Sequence, residues 1–399
     1  MDSPTPERPW APLWRLRPDV FYLNHGSYGA CPAAILEHQA RLRAELEAEP
    51  TDFLSRELDG RLAEARAALG AFVGADPDDL GFVTNATSGV NAVLRSLEFG
   101  PGDELLTTDH AYAACRKTMD YVASRTGARV VVAEVPFPIA GDDAIVDALV
   151  GAVTPRTRLA LIDHVTSPTA LVFPVARIVR ELEARGVDTL VDAAHAPGNV
   201  PMNLREAGAA YTSANAHKWL CAPKGAAFLH VRRDRQRAIH PLTISHGYDP
   251  SSGEANFVAE WGWAGTSDPT AWLSIPECIR YLGSLLPGGW PELMARNRAL
   301  ALRARDLFVA SLGVAPPCPD SMVGAMASVP LPAAEPGSPL ARLDHKGLSQ
   351  WTRERGVESW FCLWPCAGGK LVRASAQLYN DESHYRRLVE LLGEARRAA

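Results

Sequence analysis

Lys218 sits between His217 and Trp219 in the run Ser213-Ala214-Asn215-Ala216-His217-Lys218-Trp219-Leu220, ahead of the turn Pro223-Lys224-Gly225. Upstream, the apolar residues Leu190-Val191 end in a carboxylate, Asp192, followed by Ala193-Ala194-His195. A lysine able to form a Schiff base, preceded by an aspartate able to face a pyridinium nitrogen, is the pair that pyridoxal 5'-phosphate (PLP) chemistry requires. A buried carboxylate keeps that nitrogen protonated, because an opposite charge at close range favours the charged form. The lysine must be neutral to attack an aldehyde, and desolvation or a neighbouring cation lowers its pKa toward that state. A lysine taken alone is usually a solvated surface charge, and an aspartate at a strand end is usually a cap. Order, spacing and local sequence set these two apart.

A second cluster is Thr84-Asn85-Ala86-Thr87-Ser88-Gly89-Val90-Asn91. Its small residues let backbone N–H groups approach an anion, and the helix that follows adds partial positive charge. Thr87 and Ser88 add hydroxyls. An ordinary Ser/Thr helix cap has the same look; the downstream lysine turns the loop into the expected phosphate site. Thr107-Thr108-Asp109-His110-Ala111-Tyr112 offers two flat rings, and either His110 or Tyr112 is expected to stack on the cofactor. Spacing does not choose between them.

The elements needed to position these groups are legible. From about residue 80 to 230, short apolar runs alternate with helical patterns. Strands are expected at Leu80–Val83, Glu104–Thr107, Arg129–Ala133, Leu159–Ile162 and Thr189–Val191, with helices near 112–126 and 174–186. Alternation of this kind predicts an α/β domain with a mixed, mainly parallel sheet covered by helices on both faces. Ligands in such sheets sit at the carboxyl ends of strands, where Asp192, Ser167 and the Thr84–Gly89 loop all fall. Residues 276–312 read as helical, interrupted by Pro287-Gly288-Gly289. A strand at Met326–Val329, a proline-rich stretch at 330–339, a helix near 344–355, strands near 357–362 and 370–376 and a charged final helix then predict a smaller C-terminal α+β domain. The expected division is 1–20 as a segment packing on the small domain, 21–284 as the large PLP-binding domain and 285–399 as the small domain.

The 399 residues carry a formal charge of -6. That mild value gives no electrostatic basis for a nucleic-acid or membrane-surface partner. No apolar run approaches the roughly 18 residues of a membrane span, and the polar start suggests a cytoplasmic location. Seven cysteines at irregular spacing argue for reduced thiols. No metal site is expected, because no Cys or His pairs recur at ligand spacing.

Together these motifs resemble the class V, fold-type I PLP enzymes, and within them the isopenicillin N epimerase-like branch related to cysteine desulfurases. The resemblance covers most of the chain and is carried by several further stretches. These are Leu23-Asn24-His25-Gly26-Ser27-Tyr28-Gly29, Asp163-His164-Val165-Thr166-Ser167-Pro168-Thr169-Ala170, Trp263-Ala264-Gly265-Thr266-Ser267-Asp268-Pro269 and Arg373-Ala374-Ser375-Ala376-Gln377-Leu378-Tyr379-Asn380. It implies that Lys218 forms the Schiff base, that Asp192 faces the ring nitrogen and that His195 reaches the ring oxygen with Ser167 nearby. Ala86, Thr87, Asn215 and His217 would then bind phosphate. It further implies a homodimer with shared sites, in which Thr266 reaches the neighbouring subunit's phosphate. Arg373 would hold a substrate carboxylate in the two-pronged geometry arginine provides, with Asn24, His25 and Gly26 beside it.

The expected activity is removal of the Cα proton by Lys218, then C–S cleavage or deamination at a cysteine-derived moiety in a small-molecule pathway. Amino-acid epimerisation, decarboxylation-coupled deamination and cysteine desulfuration are the alternatives. The chain departs from the desulfurase pattern at Cys362 and Cys366, whose surroundings Trp360-Phe361-Cys362-Leu363-Trp364-Pro365 are bulky and apolar. Such surroundings make a thiol inert. Trp261, Trp263, Trp360, Phe361 and Trp364 are expected to divide between core and substrate pocket.

Overall fold

The computed structural model describes residues 10–251 and 256–397. The strands among the described residues are β1 (Phe21–Tyr22), β2 (Leu80–Val83), β3 (Glu104–Thr108), β4 (Arg129–Ala133), β5 (Thr157–Asp163), β6 (Asp188–Asp192), β7 (Tyr211–Asn215), β8 (Ala227–Val231), β9 (Met326–Pro330), β10 (Val357–Glu358), β11 (Trp360–Leu363) and β12 (Lys370–Ser375).

Seven strands form the large sheet in the order β2-β8-β7-β6-β5-β3-β4. The neighbours from β7 through β4 run parallel, while β8 is antiparallel to both β7 and β2. The expected mixed, mainly parallel sheet is therefore present. Every residue of β2, β3, β7 and β8 is buried, as two helix-covered faces demand. The Val175–Glu183 helix shows how cover is achieved: Val175, Ile178, Val179 and Leu182 recur at helical spacing and all turn inward. The chain winds outward from β3 to β4 in one direction and from β5 through β6 to β7 in the other. The switch between β3 and β5 opens a crevice at the carboxyl ends of these strands.

The smaller C-terminal part holds the antiparallel sheet β11-β12-β9, backed by the helices Gly289–Leu312, His345–Arg353 and Glu382–Arg396. The expected helical stretch 276–312 is two helices, Ile275–Gly283 and Gly289–Leu312, with the break at the proline-glycine turn. The N-terminal chain crosses to this part: β1 pairs with β10, and Trp14 packs edge-on against Tyr379 at 5.2 Å. Residues 1–9 of the segment expected there lie outside the described residues. Among the described residues, no helix is long and apolar enough to cross a membrane.

Candidate active site

The crevice contains a cavity of about 360 Å³ whose wall includes Thr87, Tyr112, Asp163, Asp192, His195 and Lys218. Lys218 lies in the turn between β7 and β8, pinned by His217 N–H to Ala226 O at 2.9 Å and Cys221 N–H to Lys218 O at 3.1 Å. Cys221 has φ 57° and Ala170 has φ 56°, the two non-glycine residues with positive φ among those described. Each follows an expected site residue, Lys218 and Ser167 respectively, by three positions. Backbone strain of this kind gathers where a turn must aim a functional group.

Lys218 Nζ is 3.2 Å from His195 Nε2, and Trp219 Nε1–H donates to His195 Nδ1 at 3.4 Å. A ring whose Nδ1 accepts must carry its single proton on Nε2. That N–H then points at the lone pair of a neutral lysine. The electrostatics agree: burial, with Lys218 beside it, holds His195 well below its usual range. Burial, with Arg373 second, lowers Lys218 to about 8. The neutral amine that Schiff-base chemistry needs is thus accessible close to physiological pH.

Asp192 closes β6 and is buried. Its Oδ1 accepts Ala194 N–H at 3.0 Å, and its Oδ2 accepts the Cys115 thiol at 3.1 Å. Asp163 closes β5 directly alongside, in register with Asp192. Burial raises both carboxyls, Asp163 further because Asp192 is its neighbour.

At the other end of the cavity, the Ala86–Ser96 helix begins. Asn215 Oδ1 accepts Ala86 N–H at 2.8 Å, Asn85 Oδ1 accepts Ser88 N–H at 2.9 Å, and Thr87 between them lines the cavity. The helix lies hard against β7: a side chain at Gly89 would place its Cβ 2.2 Å from Ser213 Oγ. Ser88 turns away from this cavity. Its hydroxyl engages Asn85 Oδ1 and Thr84 Oγ1, both at 3.1 Å, so it supports the Asn85 helix cap rather than lining the cradle. His217 Nδ1–H donates to Ala226 O at 3.0 Å, and burial lowers this imidazole to about 4. A bound phosphate dianion would reverse that by favouring the doubly protonated ring.

Behind Ser27 and Ser167, which line the cavity, Arg373 of β12 is 2 % exposed and does not itself line it. Its Nη1 donates to Ser167 O at 2.6 Å and its Nη2 to Ser27 Oγ at 3.1 Å, while the guanidinium lies 4.2 Å above the Trp360 ring. Its Nε has no acceptor, and no carboxylate lies within ion-pair distance among the described residues. Asn24 faces the same guanidinium at 3.5 Å. His25 and Gly26 do not line the cavity. His25 is fully enclosed between Tyr379 Oη at 2.8 Å and Lys218 O at 3.0 Å, and it buttresses the lysine turn. Gly26 N–H bonds Ser375 Oγ at 3.0 Å.

The structure separates the two candidate stacking rings. Tyr112 lines the cavity, half-exposed. His110 does not. Its nitrogens are spent on Thr169 Oγ1 at 2.7 Å and Val135 O at 2.9 Å, and its ring meets the edge of Trp364 at 4.8 Å. Thr266 stands exposed, away from this cavity; its neighbours Gly265 and Ser267 border a second, apolar cavity with Trp261 and Trp263. Phe361 is core. Burial pushes the Cys362 thiol up to about 12.

Sequence reasoning assigned no role to Ser27, Tyr28, Asp163 or Cys115, although the first three line the cavity. Asp163 obeys the same strand-end rule that singled out Asp192. Cys115 had no local signal, since only the packing of its helix, Ala113–Thr126, against the Ala86–Ser96 helix and the sheet brings its thiol to Asp192.

The residues fit PLP: a buried lysine amine, a buried carboxylate and a helix-start cradle face one cavity, and Arg373 is left without an anion. The aminotransferase class V family model matches residues 35–384. The chain is 36% identical to isopenicillin N epimerase of Streptomyces clavuligerus, over 94% of this chain and 95% of the relative. It is 32% identical to a probable chloroplastic L-cysteine desulfhydrase of Arabidopsis thaliana, over 93% and 82% of the two chains. A solved structure of a C-DES lysine mutant with glycine covalently linked to its PLP cofactor shares the fold at TM-score 0.79, with 21% identity over 98% of this chain and 100% of that one. The chain belongs to the class V aminotransferase family, as an enzyme whose cofactor is pyridoxal 5'-phosphate.

Proposed function

We propose that this enzyme cleaves the Cβ–S bond of a cysteine-derived amino acid by elimination. Arg373 carries the reading. A guanidinium buried without an acidic partner is costly, and a substrate carboxylate would satisfy both its charge and its fork geometry. PLP, when bound, supplies the electron sink for the Cα carbanion. The chain's own residues do the rest. Arg373 orients the substrate through its carboxylate. Lys218, neutral above a pKa of about 8, takes the Cα proton. The electron pair released at Cα forms the Cα–Cβ double bond as sulfur departs with the Cβ–S pair and is protonated. Tyr112 lines the cavity, and burial raises its phenol above the usual range. It can therefore donate that proton but is a poor base at neutral pH. One competent base suits elimination, whereas reversible epimerisation needs a base on each face.

A second reading is Cα epimerisation, supported by the similarity to isopenicillin N epimerase over nearly the whole of both chains. The Cys362 thiol, pushed to about 12, lends no support to persulfide chemistry. The proposed assembly is a homodimer, with the exposed Thr266 turned to the phosphate of the second copy.

The deciding experiment incubates PLP-loaded enzyme with a panel of S-substituted cysteines in deuterated water, with mass spectrometry of the products. Elimination predicts release of the sulfur fragment with pyruvate and ammonia. Intact substrate carrying deuterium at Cα would replace this reading with epimerisation.

A further inference from the structure

Asp163 and Asp192 end adjacent parallel strands as registered partners. Registered residues on neighbouring parallel strands lie on the same face, about 4.8 Å apart along the sheet. Both side chains are 3 % exposed and both line the cofactor cavity. Two carboxylates so placed in low dielectric cannot both ionise, and one proton is shared between them. The donors around them decide where it rests. Asp192 accepts from Ala194 N–H and from the Cys115 thiol, and both bonds favour its anion. Asp163 accepts the backbone N–H of Tyr112, and among the described residues no second donor to it is seen. The other titratable groups facing the pair are Lys218, whose amine burial lowers to about 8, Tyr112, whose phenol burial raises, and Cys115, whose thiol burial and Asp192 keep protonated.

We propose that Asp163 is a positioning residue that remains a neutral carboxylic acid and gives its O–H hydrogen bond to the Asp192 carboxylate, so that the pair presents a single negative charge to the cofactor's ring nitrogen. The consequence is specific. An uncharged donor of the same shape should replace Asp163, whereas nothing neutral should replace Asp192. Asp163 would also limit the charge at this end of the cavity to one, matched to one pyridinium proton.

The test compares Asp163→Asn, Asp163→Ala and Asp192→Asn after loading with PLP labelled with ¹⁵N in the ring. Asp163→Asn is expected to keep the ring nitrogen protonated, read by its ¹⁵N chemical shift, and to hold PLP within about threefold of wild type. Asp192→Asn is expected to lose the ring proton and weaken PLP by about tenfold or more, the equivalent of one pKa unit. Asp163→Ala, which removes the donor, should fall between them. A deprotonated nitrogen in Asp163→Asn, or equal losses from the two Asn variants, would show that Asp163 is an anion and overturn the proposal. Should the variants misfold, infrared spectra of the unloaded wild-type protein with ¹³C-labelled aspartate decide the matter. A buried neutral carboxylic C=O stretch is required, and its absence is fatal.

Discussion

At the scale of single residues, the site is a set of groups whose ordinary charge states burial has altered. Lys218 is eased toward neutrality, His195 is held neutral, and Asp192 keeps its charge through two donated hydrogen bonds. Arg373 is the exception. Buried with its Nε unpartnered, it has no carboxylate within ion-pair distance among the described residues, and this makes a prediction. Arg373→Ala should raise KM for the amino-acid substrate about a hundredfold or more, because two charge-assisted hydrogen bonds of about 1.5–3 kcal/mol each are lost. PLP affinity and the visible absorption of the loaded enzyme should stay close to wild type. Arg373→Lys should recover only part of the loss, since an ammonium lacks the planar fork. Steady-state kinetics beside a PLP titration separate the effects; loss of cofactor with KM unchanged would remove Arg373 from the carboxylate role.

At the scale of elements, the lysine turn is held from behind by a segment distant in sequence. The His25–Tyr28 helical turn ends at Gly29, whose φ is 70°. A Cβ there would sit 2.1 Å from His217 O and 2.9 Å from Lys218 Cα. Gly29→Ala therefore pushes on the residue that must be aimed. Expected is a loss of about 1–3 kcal/mol from the enforced backbone conformation, seen as a lower unfolding midpoint, with weaker PLP retention. A mutant that unfolds as wild type and retains PLP normally would show that the contact relaxes freely. This dependence also explains what was legible in the sequence. The strand that ends in Asp192 read correctly because its apolar run is local, whereas β7, which leads into the Lys218 turn, was not expected as a strand because Tyr211-Thr212-Ser213-Ala214-Asn215 is not a continuous apolar run. The Asn24–Gly29 stretch was identified by resemblance, but its duty differs: His25 braces the Lys218 carbonyl, a contact across 193 residues that no window reveals. His110 and Tyr112 looked equivalent in sequence. They part because the turn at Asp109-His110 aims the first ring into the core against Val135, Thr169 and Trp364.

At the scale of the whole molecule, the two ends of the large sheet divide their work. The carboxyl ends of β5, β6 and β7 hold the buried groups of the site, which sit in unfavourable charge states and draw on stability supplied elsewhere. Part of that supply is at the opposite end, where Glu104 opens β3 with its side chain fully buried. Its carboxylate accepts from Arg129 at 2.6 Å, Arg156 at 3.1 Å and Thr154 at 2.7 Å, tying β3 to β4 and to the turn before β5. The Thr154 hydrogen bond, with the two arginines, pulls Glu104 from 4.5 down to about 2. The folded pKa lies below the unfolded one, so this stabilisation is complete above pH 4.5 and drains away as pH falls toward 2. Glu104→Gln should accordingly unfold at lower temperature than wild type at pH 7, and the gap should close as pH drops through 4.5 to 2. Because Glu104 lies at the far end of the sheet from Lys218, the folded variant should bind PLP as wild type does. Thermal unfolding at pH 7, 4 and 3 measures the gap directly. A difference independent of pH would mean that packing around Glu104, and not its charge, holds this end of the sheet together.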